Sequence, residues 1–153
     1  MKFVGGGDTG TLVKPNLSAP RGQIDTVSVV KIDDIIENKD QKILFTIDAE
    51  GSELDVLEGA ISIISGKIKH YFIIELWDPL LSVVLGAKKI FSDVFRLMES
   101  KSYKGWKVDE GTGDVIEPMV NDPHTRNLSA VPVCFSNYLF MDANGSHEFL
   151  CNK

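Results

Sequence analysis

Cysteine is scarce: Cys134 and Cys151 are the only two, and neither has a neighbour at the spacing of a metal knuckle or a redox pair. A disulfide framework and a thiolate metal centre are not expected, and a reducing compartment, the cytoplasm by default, is. Long apolar runs are missing too, since none approaches the ~20 residues of a membrane span and the first residues lack the apolar core of a signal peptide. Positive charge is in short supply. Against 22 Asp and Glu there are 16 Lys and Arg, a net charge of -6 that argues against a nucleic-acid backbone or an anionic membrane as partner. There is no internal repeat and no low-complexity tract. What remains is 153 residues of ordinary composition, 43% hydrophobic, enough for one domain around one core.

The stretch from Ile43 to Gly66, ILFTIDAEGSELDVLEGAISIISG, organises the rest. Ile43 to Ile47 is almost continuously apolar, the pattern of a parallel strand covered on both faces. Charge ends it: Asp48, Glu50 and Glu53 follow around Gly51. Ser52 and Asp55 have the spacing of a capping box, so a helix is expected to start there. Leu54, Leu57, Ile61 and Ile64 then recur on one stripe, with Asp55, Glu58, Ser62 and Ser65 on the other. Gly66 stops the helix, and Tyr71 to Leu76 is dense enough for a second central strand. The unit is strand, helix, strand, and its acidic turn falls at the carboxyl end of a parallel strand, where open α/β sheets place their ligand crevices. Glu53 and Asp55 are either site residues or, the preferred reading, complements to the positive end of the helix dipole. Asp48 and Glu50 precede the helix, at the strand tip, and are either site residues or structural ones.

The residues IDAEGSELDVLEGA, Ile47 to Ala60, followed by FIIEL, Phe72 to Leu76, resemble the signature of the FkbM-type methyltransferase family. The matching positions are Asp48, Glu50, Gly51, Glu53, Leu54, Leu57, Gly59 and Ala60; Thr46 stands where the family has a lysine. A fainter likeness extends over Thr26 to Val108 and Asn137 to Asp142. The resemblance implies a class I methyltransferase fold, S-adenosylmethionine as cofactor, and methylation of a hydroxyl on a sugar or secondary metabolite. The acceptor would then be a small molecule, with Asp48 and Glu50 as catalytic candidates.

The remaining segments fit around this unit. Gly5, Gly7 and Gly10 have GxGxxG spacing, but LVKPNLSAPRG carries Pro15 and Pro20 and no helical stripe, so residues 1–25 are expected to be a flexible lead and not a cofactor turn. The resemblance agrees, placing a small-residue loop here. Thr26 to Ile32 is predicted as a strand and Asp33 to Lys39 as a short helix or turn capped by its aspartates. Glu75, in an apolar run near a strand's carboxyl end, is either a satisfied buried carboxylate or a substrate contact. Ile90, Phe91, Val94, Leu97 and Met98 predict an amphipathic core helix. Tyr103 to Val108 and Asn137 to Asp142 are predicted as an antiparallel strand pair. The long loop between them, 109–136, brings His124 and Arg126 forward as substrate-binding candidates.

A class I methyltransferase opens with a strand, a glycine-rich turn onto a helix, and an acidic residue that holds the cofactor ribose. None of these precedes Asp48, whose strand corresponds to the fourth of that fold. The expectation is thus an α/β, Rossmann-like half domain over 26–145 with a tail at 146–153, in which parallel strands with crossover helices end in an antiparallel strand pair. Such a truncated enzyme would lack the cofactor half and bind S-adenosylmethionine poorly alone. The alternative is a non-catalytic remnant acting as an interaction module, self-associating through an uncovered sheet edge.

Overall fold

The computed structural model of the chain describes residues 2–6, 9–13, 23–26, 28–77, 88–108, 111–112, 115–116 and 135–145. Near the amino terminus β1 (Lys2–Gly6), β2 (Thr9–Val13) and β3 (Gln23–Thr26) pair antiparallel in the order β2-β1-β3. Gly5 stands opposite Gly10 in this sheet. These glycines lie in paired strands, and the flexible lead expected here is strand in its described part. The signal was present, because Gly7-Asp8 between two runs containing Val, Thr and Phe is a dipeptide favoured for two-residue hairpin connections. The strand expected over Thr26 to Ile32 is also displaced. β3 ends at Thr26, and Val29 and Val30 are 57% and 64% exposed. β-branched residues favour a strand only where a neighbour pairs with them and covers them.

The second sheet carries the rest of the chain. In order come α1 (Ile32–Ile35), β4 (Leu44–Ile47), α2 (Glu53–Glu58), α3 (Ile61–Ile64), β5 (Tyr71–Trp77), α4 (Lys88–Ser100), β6 (Tyr103–Val108), β7 (Val115–Ile116) and β8 (Phe135–Asp142). The strand order is β4-β5-β8-β6-β7, with β4 parallel to β5 and β8 antiparallel to both β5 and β6. β6 therefore runs parallel to β4 and β5. The expected antiparallel pair forms, and its last strand lies in the middle of the sheet, between β5 and β6.

Both crossovers, β4 to β5 and β5 to β6, step in the same direction across the sheet, and the common handedness of such connections then puts both sets of helices on one face. Burial agrees. Phe72, Ile74 and Leu76 of β5 are closed off with Leu57 and Ile64 from the first crossover and Val94 and Met98 from α4. Phe95 completes this layer, with its ring centroid 4.7 Å from Phe91 and 4.9 Å from Phe140. A Cβ on Gly105 would meet Phe140 at 2.7 Å and Phe95 at 2.9 Å, so only glycine fits beneath these rings. The opposite face is more open. On β4 it holds Leu44, 56% exposed, and Thr46, also exposed. β4 is thus covered on one face, not on both, because among the described residues it has a paired strand along one edge only and helices on one side.

The helix predicted from about Glu53 to Ile64 is in fact two short helices, broken at Gly59 and Ala60. Asp33 fills the break. Its amide donates to the Gly59 carbonyl at 3.0 Å, and its carboxylate accepts from the amides of Ser62 at 2.9 Å and Ile63 at 3.1 Å. The aspartate expected to cap its own helix therefore caps α3. Burial alone would raise its carboxyl, but the bonds from Ser62 and Ile63, with Lys39 nearby, outweigh that and hold it below the ordinary carboxylate range. The break also turns the stripe: Ile63 and Ala60 are buried at 1% and 0%, while Ile61, expected inside, is 37% exposed.

Candidate functional site

The site is built on the step from β4 to α2. Ala49 to Ser52 closes a tight turn in which the Ser52 amide donates to the Ala49 carbonyl at 3.0 Å. Its two central residues are both left-handed, Glu50 with φ 48° and Gly51 with φ 94°. Glycine tolerates this; for Glu50 the conformation costs about 1–2 kcal/mol. The turn is therefore held by something, and the holder is Glu53. This residue is 2% exposed, and its Oε1 accepts from the Ala49 amide at 3.2 Å and the Gly51 amide at 2.9 Å. Ser52, the expected partner in a capping box, sits at the N-cap of α2 without a side-chain cap bond. The carboxylate one residue on has taken over the role of ordering the helix entry.

Asp48, Glu50 and Glu75 come to the same end of the sheet. The last paired residues of the parallel ladder are Ile47 and Ile74, so Asp48 and Glu75 follow side by side at its carboxyl end. Asp48 is exposed, and Glu50 and Glu75 are half-buried. Glu75 alternates with Ile74 and Leu76, which places it on the sheet face away from the helices, opposite Asn137 of β8. His124 and Arg126 lie outside the described residues. For Glu53 the spacing favours a role at the helix dipole; that its side chain reaches back to the turn depends on burial, which spacing does not encode.

The fit of S-adenosylmethionine can be tested on the glycines. A cradle for such a cofactor needs a strand, a glycine turn and a helix whose first amides face the ligand. Gly5 and Gly10 instead face each other across antiparallel strands. The described residues do not supply that cradle. Nor do they contain a group of three or more His, Cys, Asp or Glu side chains able to hold a metal ion. Among them, no helix is long and apolar enough to cross a membrane.

Residues 5–104 match the family model of the methyltransferase FkbM domain. The chain belongs to the FkbM methyltransferase family. The match runs from within β1 to within β6 and takes in the whole turn and both carboxylates at the tip of β4. No curated protein and no solved structure matches the chain. The FkbM segment thus takes in the end of β1 with β2 and β3, earlier in the chain than the signature around Asp48.

Proposed function

We propose that this FkbM chain carries the acceptor side of a Rossmann-like, class I O-methyltransferase site, in which Asp48 and Glu50 engage a hydroxyl of a sugar or secondary metabolite. The observation behind this is the left-handed Glu50–Gly51 pair at the carboxyl end of a parallel strand, pinned by a buried carboxylate inside the family match. Strain of about 1–3 kcal/mol per residue persists only where the surroundings over-determine it, and such places cluster at sites. The Rossmann-like half fold is supported by three parallel strands with both crossovers on one face, and 26–145 is the unit that bears it.

A carboxylate at the strand tip accepts the hydrogen of an acceptor hydroxyl, orients its oxygen and takes the proton when that oxygen acts as nucleophile. Glu75, with His124 and Arg126 from the 109–136 loop, would complete the acceptor wall. The methyl donor the family implies is S-adenosylmethionine, which the described residues do not fit. Its binding half is, on this proposal, separate from the half carried by these residues. In a protein containing both halves, Asp48→Asn or Glu50→Gln lowers methyl transfer to hydroxylated acceptors about 10²- to 10⁴-fold, with little change in denaturation midpoint. Unchanged turnover removes that residue from the site.

A second function has its own observation. The outer edge of β4 has no partner strand among the described residues, and Leu44 on that strand is exposed. A non-catalytic remnant could pair with another chain along this edge. Loss of methyl transfer in Asp48→Asn favours the enzyme over this alternative.

A further inference from the structure

We propose that His70 is an acid-sensitive latch: a proton taken up on its Nδ1 expels the amide of Ile43 and loosens β4, the strand whose other end carries the Asp48–Glu50 turn. His70 and Ile43 immediately precede β5 and β4, at the amino ends of the parallel pair. Ile43 is tied there twice, its N–H donating to His70 Nδ1 at 3.3 Å and its carbonyl accepting from the Tyr71 amide at 2.9 Å. The first of these bonds requires a bare Nδ1, so the neutral ring carries its hydrogen on Nε2. Imidazolium carries hydrogen on both nitrogens. Two donors, Nδ1–H and the Ile43 N–H, would then meet at a residue only 1% exposed.

The surroundings give the ring little means of avoiding that clash. Phe45 stands edge-on to it at 5.9 Å, and the backbone amide of His70 is itself fixed, donating to the Tyr103 hydroxyl at 3.2 Å. The Tyr103 phenol, pushed up to about 12 chiefly by burial and further by Asp142, does not titrate with it. The charge of Lys69 opposes a further positive charge, and Lys42 is engaged elsewhere. Lys69 donates to the carbonyls of Lys101 at 2.9 Å and Ile64 at 3.4 Å, and Lys42 donates to the Tyr71 hydroxyl at 3.3 Å. Burial first, then the charge of Lys69, hold the imidazole below its ordinary value of 6.5. With the folded value depressed, the stabilisation is complete above the unfolded value. It is lost as pH falls from there toward the folded value.

β4 is vulnerable to such a loss because it is a four-residue edge strand with β5 as its only paired neighbour among the described residues. The latch stands on the Ile43, His70 and Tyr71 contacts alone. Only its bearing on methyl transfer rests on the turn being the acceptor site.

The test is amide hydrogen exchange by NMR on the full chain between about pH 7.5 and about pH 5, the window in which histidine titrates. Protection of Ile43 and of the β4–β5 ladder is expected to fall with pH, up to about tenfold per unit by which the folded His70 value lies below the unfolded one. His70→Asn places an oxygen near the Nδ1 position that accepts without titrating, and is expected to keep the protection and lose its pH dependence. His124 and His147 are present in both proteins, so the difference isolates His70. Should His70→Asn fail to fold, nitrogen-15 shifts of the His70 ring in the unaltered chain decide. They are expected to give a bare Nδ1 at neutral pH and a midpoint below 6.5. Constant protection across the range, an undiminished pH dependence in His70→Asn, or a ring midpoint at or above 6.5 overturns the proposal.

Discussion

Glu53 separates two physical roles that look alike in sequence. A carboxylate in the first turn of a helix complements the dipole by about 0.3–1 kcal/mol. One that also accepts two backbone amides of the preceding turn contributes more, since bonds to a charged group are worth about 1.5–3 kcal/mol and leaving amides unpaired adds a penalty. Glu53→Ala is expected to lower stability by about 2–3 kcal/mol in urea denaturation, whereas Glu53→Gln, which keeps an accepting oxygen, recovers most of the loss. Equal losses in the two variants would mean that charge alone matters and that the 2.9 Å bond to Gly51 holds nothing. The same carboxylate keeps Glu50 in its left-handed conformation, so the residue bearing the proposed chemistry is positioned by one that does not itself touch an acceptor.

The α2–α3 pair is where periodicity and fold part company. Leu57 and Ile64 were legible as buried because both lie on the expected stripe, and both are fully enclosed. Ile61 and Ile63 were not, because the break that precedes both, at Gly59 and Ala60, is stabilised by Asp33, about thirty residues earlier in the chain, which no local pattern can announce. Leu57→Ala and Ile63→Ala should each cost about 2–5 kcal/mol, as for large-to-small changes in a core. Ile61→Ala should cost about 0.5 kcal/mol or less. A continuous helix would reverse the order of Ile61 and Ile63, so their denaturation midpoints test the break directly. By contrast α4, β5 and β6 were read nearly to their ends, since each has a strong period and packs against neighbours of its own sheet.

Across the whole molecule, the acidic strand tip and the FkbM family were legible because the signature is local and its residues serve one compact turn. The amino-terminal sheet was missed because GxGxxG spacing and a Gly-Asp hairpin compete for the same residues, and only the pairing of Gly5 with Gly10 decides between them. That pairing has a functional consequence. Without a glycine turn onto a helix, the contacts that hold the methionine and ribose of S-adenosylmethionine have no support in the described residues. Losing several kcal/mol of such contacts, at ~1.4 kcal/mol per tenfold in affinity, turns micromolar binding into millimolar or weaker. The account of this chain as the acceptor half of a methyltransferase site is therefore tested most directly by titration calorimetry with S-adenosylmethionine. No saturable heat in the micromolar range is expected from the chain alone. A saturable isotherm with a micromolar Kd would contradict the account, showing that these residues bind the methyl donor themselves.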